Sequence, residues 1–198
     1  MRSQARIEPD PDLYTTNTLP LFVGHLGLLG RAETLDLGPL SGRNLDFLAG
    51  EMGFRVRMED LSFSLTQKGG QAVEELELPE GRFHGVLAWS LFDYLKLEEA
   101  EVLVKKLWKA LVPGGVVQAF FSQHRPSKAR VQQFNILSSN QISIREVDPE
   151  LPWRPWANRE VLDTFAPFEA ANSFILKSGL REYLFRRPGN LTWPSEPA

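Results

Sequence analysis

The chain has 198 residues, enough for one domain with its own core. It is 42% hydrophobic and 24% charged, the balance of an ordinary globular protein, and its formal net charge of -3 argues against the dense basic face that duplex nucleic acid requires. There are no cysteines, which excludes disulfides, thiolate metal sites and cysteine nucleophiles, and the three histidines, His25, His84 and His124, are scattered without ligand spacing, so no metal site is expected.

Residues 1–17 are polar, with Pro9 and Pro11, and are expected to form a flexible arm. Leu19 to Leu29 is apolar but interrupted by Pro20, Gly24, His25 and Gly27. It is too short to span a bilayer and reads as a short helix. With no signal peptide recognisable either, a cytoplasmic protein is expected. Thr34 to Gly38 reads as a buried strand that ends in a glycine turn. From Asn44 a helix is predicted, with Leu45, Leu48, Ala49 and Met52 at helical spacing and Gly50 and Gly53 at its end. Phe54 to Met58 alternates apolar and basic residues, as a strand does, and stops at Glu59-Asp60.

Residues 61–80 are ambiguous: Gly69-Gly70 breaks them, and Val73 to Leu78 suits a helix end or a short strand. Phe83 to Trp89 is a clearer strand. The strongest helix runs from Leu97 to Leu111, with its apolar residues on one face, Glu98, Glu99 and Glu101 early, and Lys105, Lys106 and Lys109 late. That polarity suits the helix macrodipole. After Pro113-Gly114-Gly115, Val116 to Phe121 is again a buried strand. Residues 131–147 form a predicted β-hairpin around Ser138-Ser139-Asn140, a lid or a dimer contact. A proline- and tryptophan-rich loop, 149–155, leads to a short helix capped by Asn158. Phe168 to Leu176 and Arg181 to Arg186 form a second hairpin, and 188–198 a tail. Alternating strands and helices imply a mostly parallel sheet with helices on both faces. Ligands in such sheets bind beyond the carboxyl ends of the strands, where strand order reverses.

The segment Leu35-Asp36-Leu37-Gly38-Pro39-Leu40-Ser41-Gly42, the acidic pair Glu59-Asp60, the strand Phe83 to Trp89 and the turn Leu111-Val112-Pro113-Gly114-Gly115 occur in one order and spacing. Together they resemble the class I S-adenosylmethionine-dependent methyltransferases over about residues 18–187. The resemblance implies a Rossmann-like three-layer α/β sandwich, with Phe83 to Trp89 as its fourth strand and the last hairpin as its antiparallel sixth and seventh. The β-hairpin at 131–147 would be an insertion.

The implied function is methyl transfer from S-adenosylmethionine to an unspecified small molecule or protein. The alternative is a non-catalytic methyltransferase-like binding or scaffold domain. A nicotinamide enzyme fits less well, because its G-x-G-x-x-G loop is missing. Glycine lets backbone approach a ligand closely, and a helix start presents free amides, so Asp36, Gly38 and Gly42 are candidate cofactor residues. Glu59 and Asp60 stand where the family carries an acid for the ribose hydroxyls, and Trp89 borders the cleft. Where the family has a glycine two places after Gly38, this chain has Leu40, whose side chain either fills cofactor space or points away.

Asp93 and His124, just past two strand ends, are candidates to orient a substrate or take its proton; the competing readings are a helix cap and a lone exposed histidine. Trp153, Arg154 and Trp156 suit a planar or anionic substrate, a protein contact that includes a second copy, or packing on the sheet edge.

Overall fold

The computed structural model describes residues 13–123, 130–176, 178–189 and 193; His124 and most of the predicted arm and tail lie outside them. In chain order the elements are β1 (Leu13–Thr15), α1 (Thr18–Gly27), β2 (Glu33–Asp36), α2 (Gly42–Leu45, continued by a π-helical turn, Asp46–Glu51), β3 (Arg55–Met58), α3 (Leu61–Lys68), α4 (Gln71–Glu75), β4 (Phe83–Trp89), α5 (Leu97–Ala110), β5 (Leu111–Ser122), β6 (Arg130–Ser138), β7 (Gln141–Glu150), α6 (Asn158–Thr164), β8 (Glu169–Ile175) and β9 (Leu180–Arg186). A 3₁₀ turn, Leu91–Tyr94, links β4 to α5.

Six strands form the main sheet in the order β3-β2-β4-β5-β9-β8. β3, β2, β4 and β5 are parallel, and β9 runs antiparallel to both β5 and β8. The central parallel strands are buried on both faces by helices, which is why β4 and the second half of β5 are nearly continuous apolar runs, whereas β3 at the edge is only partly buried. One core lies under α3, α4, α5 and α6 and includes Val86, Ala88, Leu103, Trp108, Phe121 and Phe165. The opposite core, under α1 and α2, includes Phe22, Leu26, Leu48, Leu87, Trp89 and Phe120. Helix α1 can lie close because Gly85 has no side chain: a Cβ there would stand 2.6 Å from the Phe22 ring. The N-terminus of α1 is met by the buried Glu182 carboxylate, which accepts from Asn17 N at 2.8 Å and Thr18 N at 3.0 Å.

The structure departs from the sequence-level expectations at several points. Leu13–Thr15, expected within the arm, is a strand paired with β7, so a separate three-stranded sheet, β1-β7-β6, lies beside the main one. Residues 61–80 contribute no strand: Ala72 and Val73 bury one face of α4, so Phe83–Trp89 follows two parallel strands in the chain rather than three. Asn158 does not cap α6; Glu160 reaches back to Ala157 N at 2.8 Å, and the Asn158 amide oxygen accepts from the Tyr183 hydroxyl. Among the described residues no helix is long and apolar enough to cross a membrane.

Candidate functional site

In this sheet the chain leaves β2 toward β3 on one side, while β4 leads to β5 on the other. The crevice between the carboxyl ends of β2 and β4 is therefore where a ligand is expected. Asp36 ends β2 and Trp89 ends β4, so both predicted residues reach this crevice. They meet each other: Trp89 Nε1 donates to Asp36 Oδ1 at 2.8 Å, and Gly38 N donates to the same oxygen at 3.1 Å. Asn44 Nδ2 donates to the other oxygen at 3.0 Å. Burial pushes the Asp36 carboxyl above its ordinary range, and the hydrogen bonds from Asn44, Gly38 and Trp89 pull the other way.

The indole of Trp89 lies directly on Gly38, where a Cβ would stand 2.5 Å from its Cδ1. Glycine is required here for close approach to the chain's own side chain. Trp89 is the one non-glycine residue among those described with a positive φ, 46°, a rare conformation for a bulky residue. On its other side the ring stacks on Phe134 of β6, with centroids 5.1 Å apart, and meets Phe120 edge-on at 5.6 Å.

Strand β6 closes over the glycine loop through a set of buried bonds. Asn44 Nδ2 also donates to Phe134 O at 3.1 Å, and its oxygen accepts from Ile136 N at 2.9 Å. Ser41 Oγ donates to Asn135 Oδ1 at 2.7 Å, and Gln133 Nε2 donates to Leu40 O at 2.7 Å. Leu40 itself points outward, 59% exposed. The residue that fills the crevice is Trp89. The Asn44, Ser41, Gln133, Phe134 and Asn135 contributions had no sequence-level reading of their own; the only hint was polar residues on an otherwise apolar β6.

The remaining cofactor candidates are dispersed. Asp60 caps α3, accepting from Phe63 N at 2.8 Å and Ser62 Oγ at 2.6 Å, with a longer bond from Leu40 N at 3.4 Å. Glu59, just past β3, is paired with Arg57 of that strand and faces a polar cleft of about 290 Å³ that also includes Ser64, Lys68 and Glu75. Gly42 starts α2 on the surface.

Asp93 caps no helix. It is fully buried, its Oδ2 accepts from Ser122 N at 2.9 Å, and its Oδ1 has no hydrogen-bond partner among the described residues. Burial pushes its carboxyl up to about 7, against the bond from Ser122 and the nearby Arg181 charge. The three residues of the aromatic loop separate. Trp156 is core, donating to Phe92 O at 2.9 Å, so it is not free to bind a substrate. Arg154 lies over the Trp156 ring at 4.1 Å and bonds to Glu160 at 2.6 Å. Trp153 lines a mostly apolar cavity of about 270 Å³ with Leu65, Tyr94, Leu95 and Leu151, and Lys96 and Arg154 also border it. Asp36 and Gly38 line neither this cavity nor the cleft beside Glu59. His25 and His84 have structural contacts, with Gly114 O and Glu33 N respectively.

Solved structures match the fold. A methyltransferase from Mesorhizobium loti, described as S-adenosylmethionine dependent, superposes with a TM-score of 0.60 at 15% identity, over 86% of this chain and 96% of that one. One from Clostridium acetobutylicum gives 0.58 at 12% identity, over 86% and 91%. The Burkholderia thailandensis 1,6-didemethyltoxoflavin-N1-methyltransferase, solved with 1,6-didemethyltoxoflavin and S-adenosylhomocysteine, gives 0.51 at 20% identity, over 86% and 78%. The chain has the methyltransferase fold. No protein-family model matches it, and no curated protein matches it in sequence.

Within this methyltransferase fold the residues as arranged do not accommodate S-adenosylmethionine. Asp36 is 1% exposed, with both oxygens already bonded within the chain, and an indole occupies the space over Gly38.

Proposed function

We propose that this protein is an S-adenosylmethionine-dependent methyltransferase whose acceptor is bound near the Trp153 cavity. The observation that carries the reading is an acidic strand end followed by a glycine loop, Asp36 to Gly42, at the reversal point of a sheet with the methyltransferase fold. The Trp153 cavity has apolar walls for the body of an acceptor, and its charged border is Lys96, Glu99 and Arg154, the last paired with Glu160. Methyl transfer asks mainly that donor and acceptor be held in line, so the lack of an obvious acid–base pair is compatible with catalysis. The reading requires the crevice over Gly38 to open. It carries with it a cytoplasmic location and an acceptor other than duplex nucleic acid, in keeping with the net charge of -3.

Titration calorimetry with S-adenosylhomocysteine tests it. Saturable binding that Asp36→Ala abolishes is the expected result. No heat at millimolar ligand, from the wild-type protein and from folded variants that empty the crevice alike, sinks the reading.

A second reading is a methyltransferase-fold binding domain without catalysis. The observation that favours it is the completeness of the Trp89–Asp36–Asn44–Phe134 contacts, which use the polar groups of the crevice within the chain.

A further inference from the structure

We propose that Trp89 and the β6–β7 hairpin form a built-in cover that competes with the adenosyl ligand for the crevice, so that this protein's resting state is closed. The inference rests on the methyltransferase reading above.

Four observations carry it. First, the occupant is specific. The indole makes a hydrogen bond to Asp36, lies on Gly38 and stacks on Phe134, so it takes up the polar and apolar contacts that the crevice offers. Second, Trp89 is held in a left-handed backbone conformation, φ 46°, that bulky side chains avoid. Relaxing that one residue to an extended conformation re-aims the indole, so the strain marks a hinge at the end of β4. Third, β6 and β7 belong to a sheet of their own with β1, and among the described residues no backbone ladder joins this sheet to the main one. The bonds from Asn44, Ser41 and Gln133 and the two bonds of the Tyr94 hydroxyl to Arg130 O and Gln132 N are side-chain bonds. Val131, Phe134, Ile136 and Ile142 also pack into the two cores, so a shift of this unit has to slide these buried side chains while its own ladders stay intact. Fourth, Leu40, which replaces a loop glycine, is exposed, and its carbonyl serves as an anchor for Gln133. The loop is shaped to receive the hairpin.

A cover of this kind lowers apparent affinity by the fraction of molecules that are open. Emptying the crevice from either side should therefore tighten binding. Trp89→Ala removes the indole, and Phe134→Ala removes its stacking partner without touching β4. Titration with S-adenosylhomocysteine should give at least tenfold tighter binding for either variant than for the wild type. Hydrogen–deuterium exchange on the wild-type protein reads the same event without a substitution: added S-adenosylhomocysteine should raise exchange in Val131 to Ile136.

Several results overturn the proposal. Equal or weaker binding by folded variants, or protection of Val131 to Ile136 on ligand addition, would remove the cover while leaving the methyltransferase reading intact. Failure of the wild type and both variants to bind removes that reading, and the cover with it. If one variant does not fold, the other and the exchange measurement still decide.

Discussion

Trp89 and Asn44 show how two side chains can close a site. The left-handed backbone at Trp89 costs about 1–3 kcal/mol. Burying the indole offsets about as much, and its two ring contacts add roughly 0.5–1.5 kcal/mol each, so the packed arrangement wins. Asn44 is the polar counterpart: its amide bonds Asp36 Oδ2, Phe134 O and Ile136 N, all buried. Asn44→Ala leaves these groups unpaired and should cost about 2–4 kcal/mol in urea denaturation. A loss below about 0.5 kcal/mol, the range of an ordinary surface change, would show that the network is not closed.

At the scale of elements, charged side chains fix the helix ends that position the loops. Lys106 Nζ donates to Glu74 O at 2.6 Å and Leu76 O at 2.8 Å, so α5 ties down the carbonyl end of α4 and the chain beyond it. Glu99 accepts from Lys96 N at 2.8 Å at the start of α5. Asp60 serves α3 in the same way, which gives its sequence-level assignment to the ribose a clear test. As a cap alone, Asp60→Ala should cost about 1 kcal/mol, Asp60→Ser should recover most of it, and neither should alter affinity for S-adenosylhomocysteine. A loss of affinity in both variants would return Asp60 to the ligand.

At the scale of the molecule, Asp93 joins segments that are distant in the chain. Its carboxylate accepts from Ser122 N at the end of β5, and its backbone carbonyl accepts from Arg154 N in the loop after β7. Because burial raises its carboxyl from the usual 3.8 to about 7, the fold favours the protonated acid. That contribution to stability is full below about pH 4 and is lost as the pH rises to about 7. Asp93→Asn, which keeps an acceptor for Ser122 N, should remove this dependence. Chemical denaturation from pH 4.5 to 8 should show the wild type losing on the order of a few kcal/mol relative to the variant. A constant difference across that range would mean that Asp93 does not titrate in the folded protein.

Much of this architecture was legible in the residues. Periodicity located α5 and β4 to within a residue, because an amphipathic helix and a strand buried on both faces leave strong local patterns. The order of Asp36, the glycine loop, Glu59-Asp60 and the turn before β5 pointed to the methyltransferase fold that the solved structures share. Local pattern could not show that 61–80 lacks a strand, since a short apolar run suits either state and packing against α5 decides it.

Nor could it show the state of the crevice. Asp36 and Trp89 are separated by 53 residues and Trp89 and Phe134 by 45, and their meeting depends on sheet order and on where a hairpin comes to rest. The sequence by itself determined most of the elements, the fold and the presence of an acidic glycine loop, because those rest on local periodicity and backbone freedom. Only the tertiary structure decided that Leu40 points outward and that Trp89 lies over Gly38. Each of these is a competition between groups far apart in the chain for the same space or the same hydrogen bond.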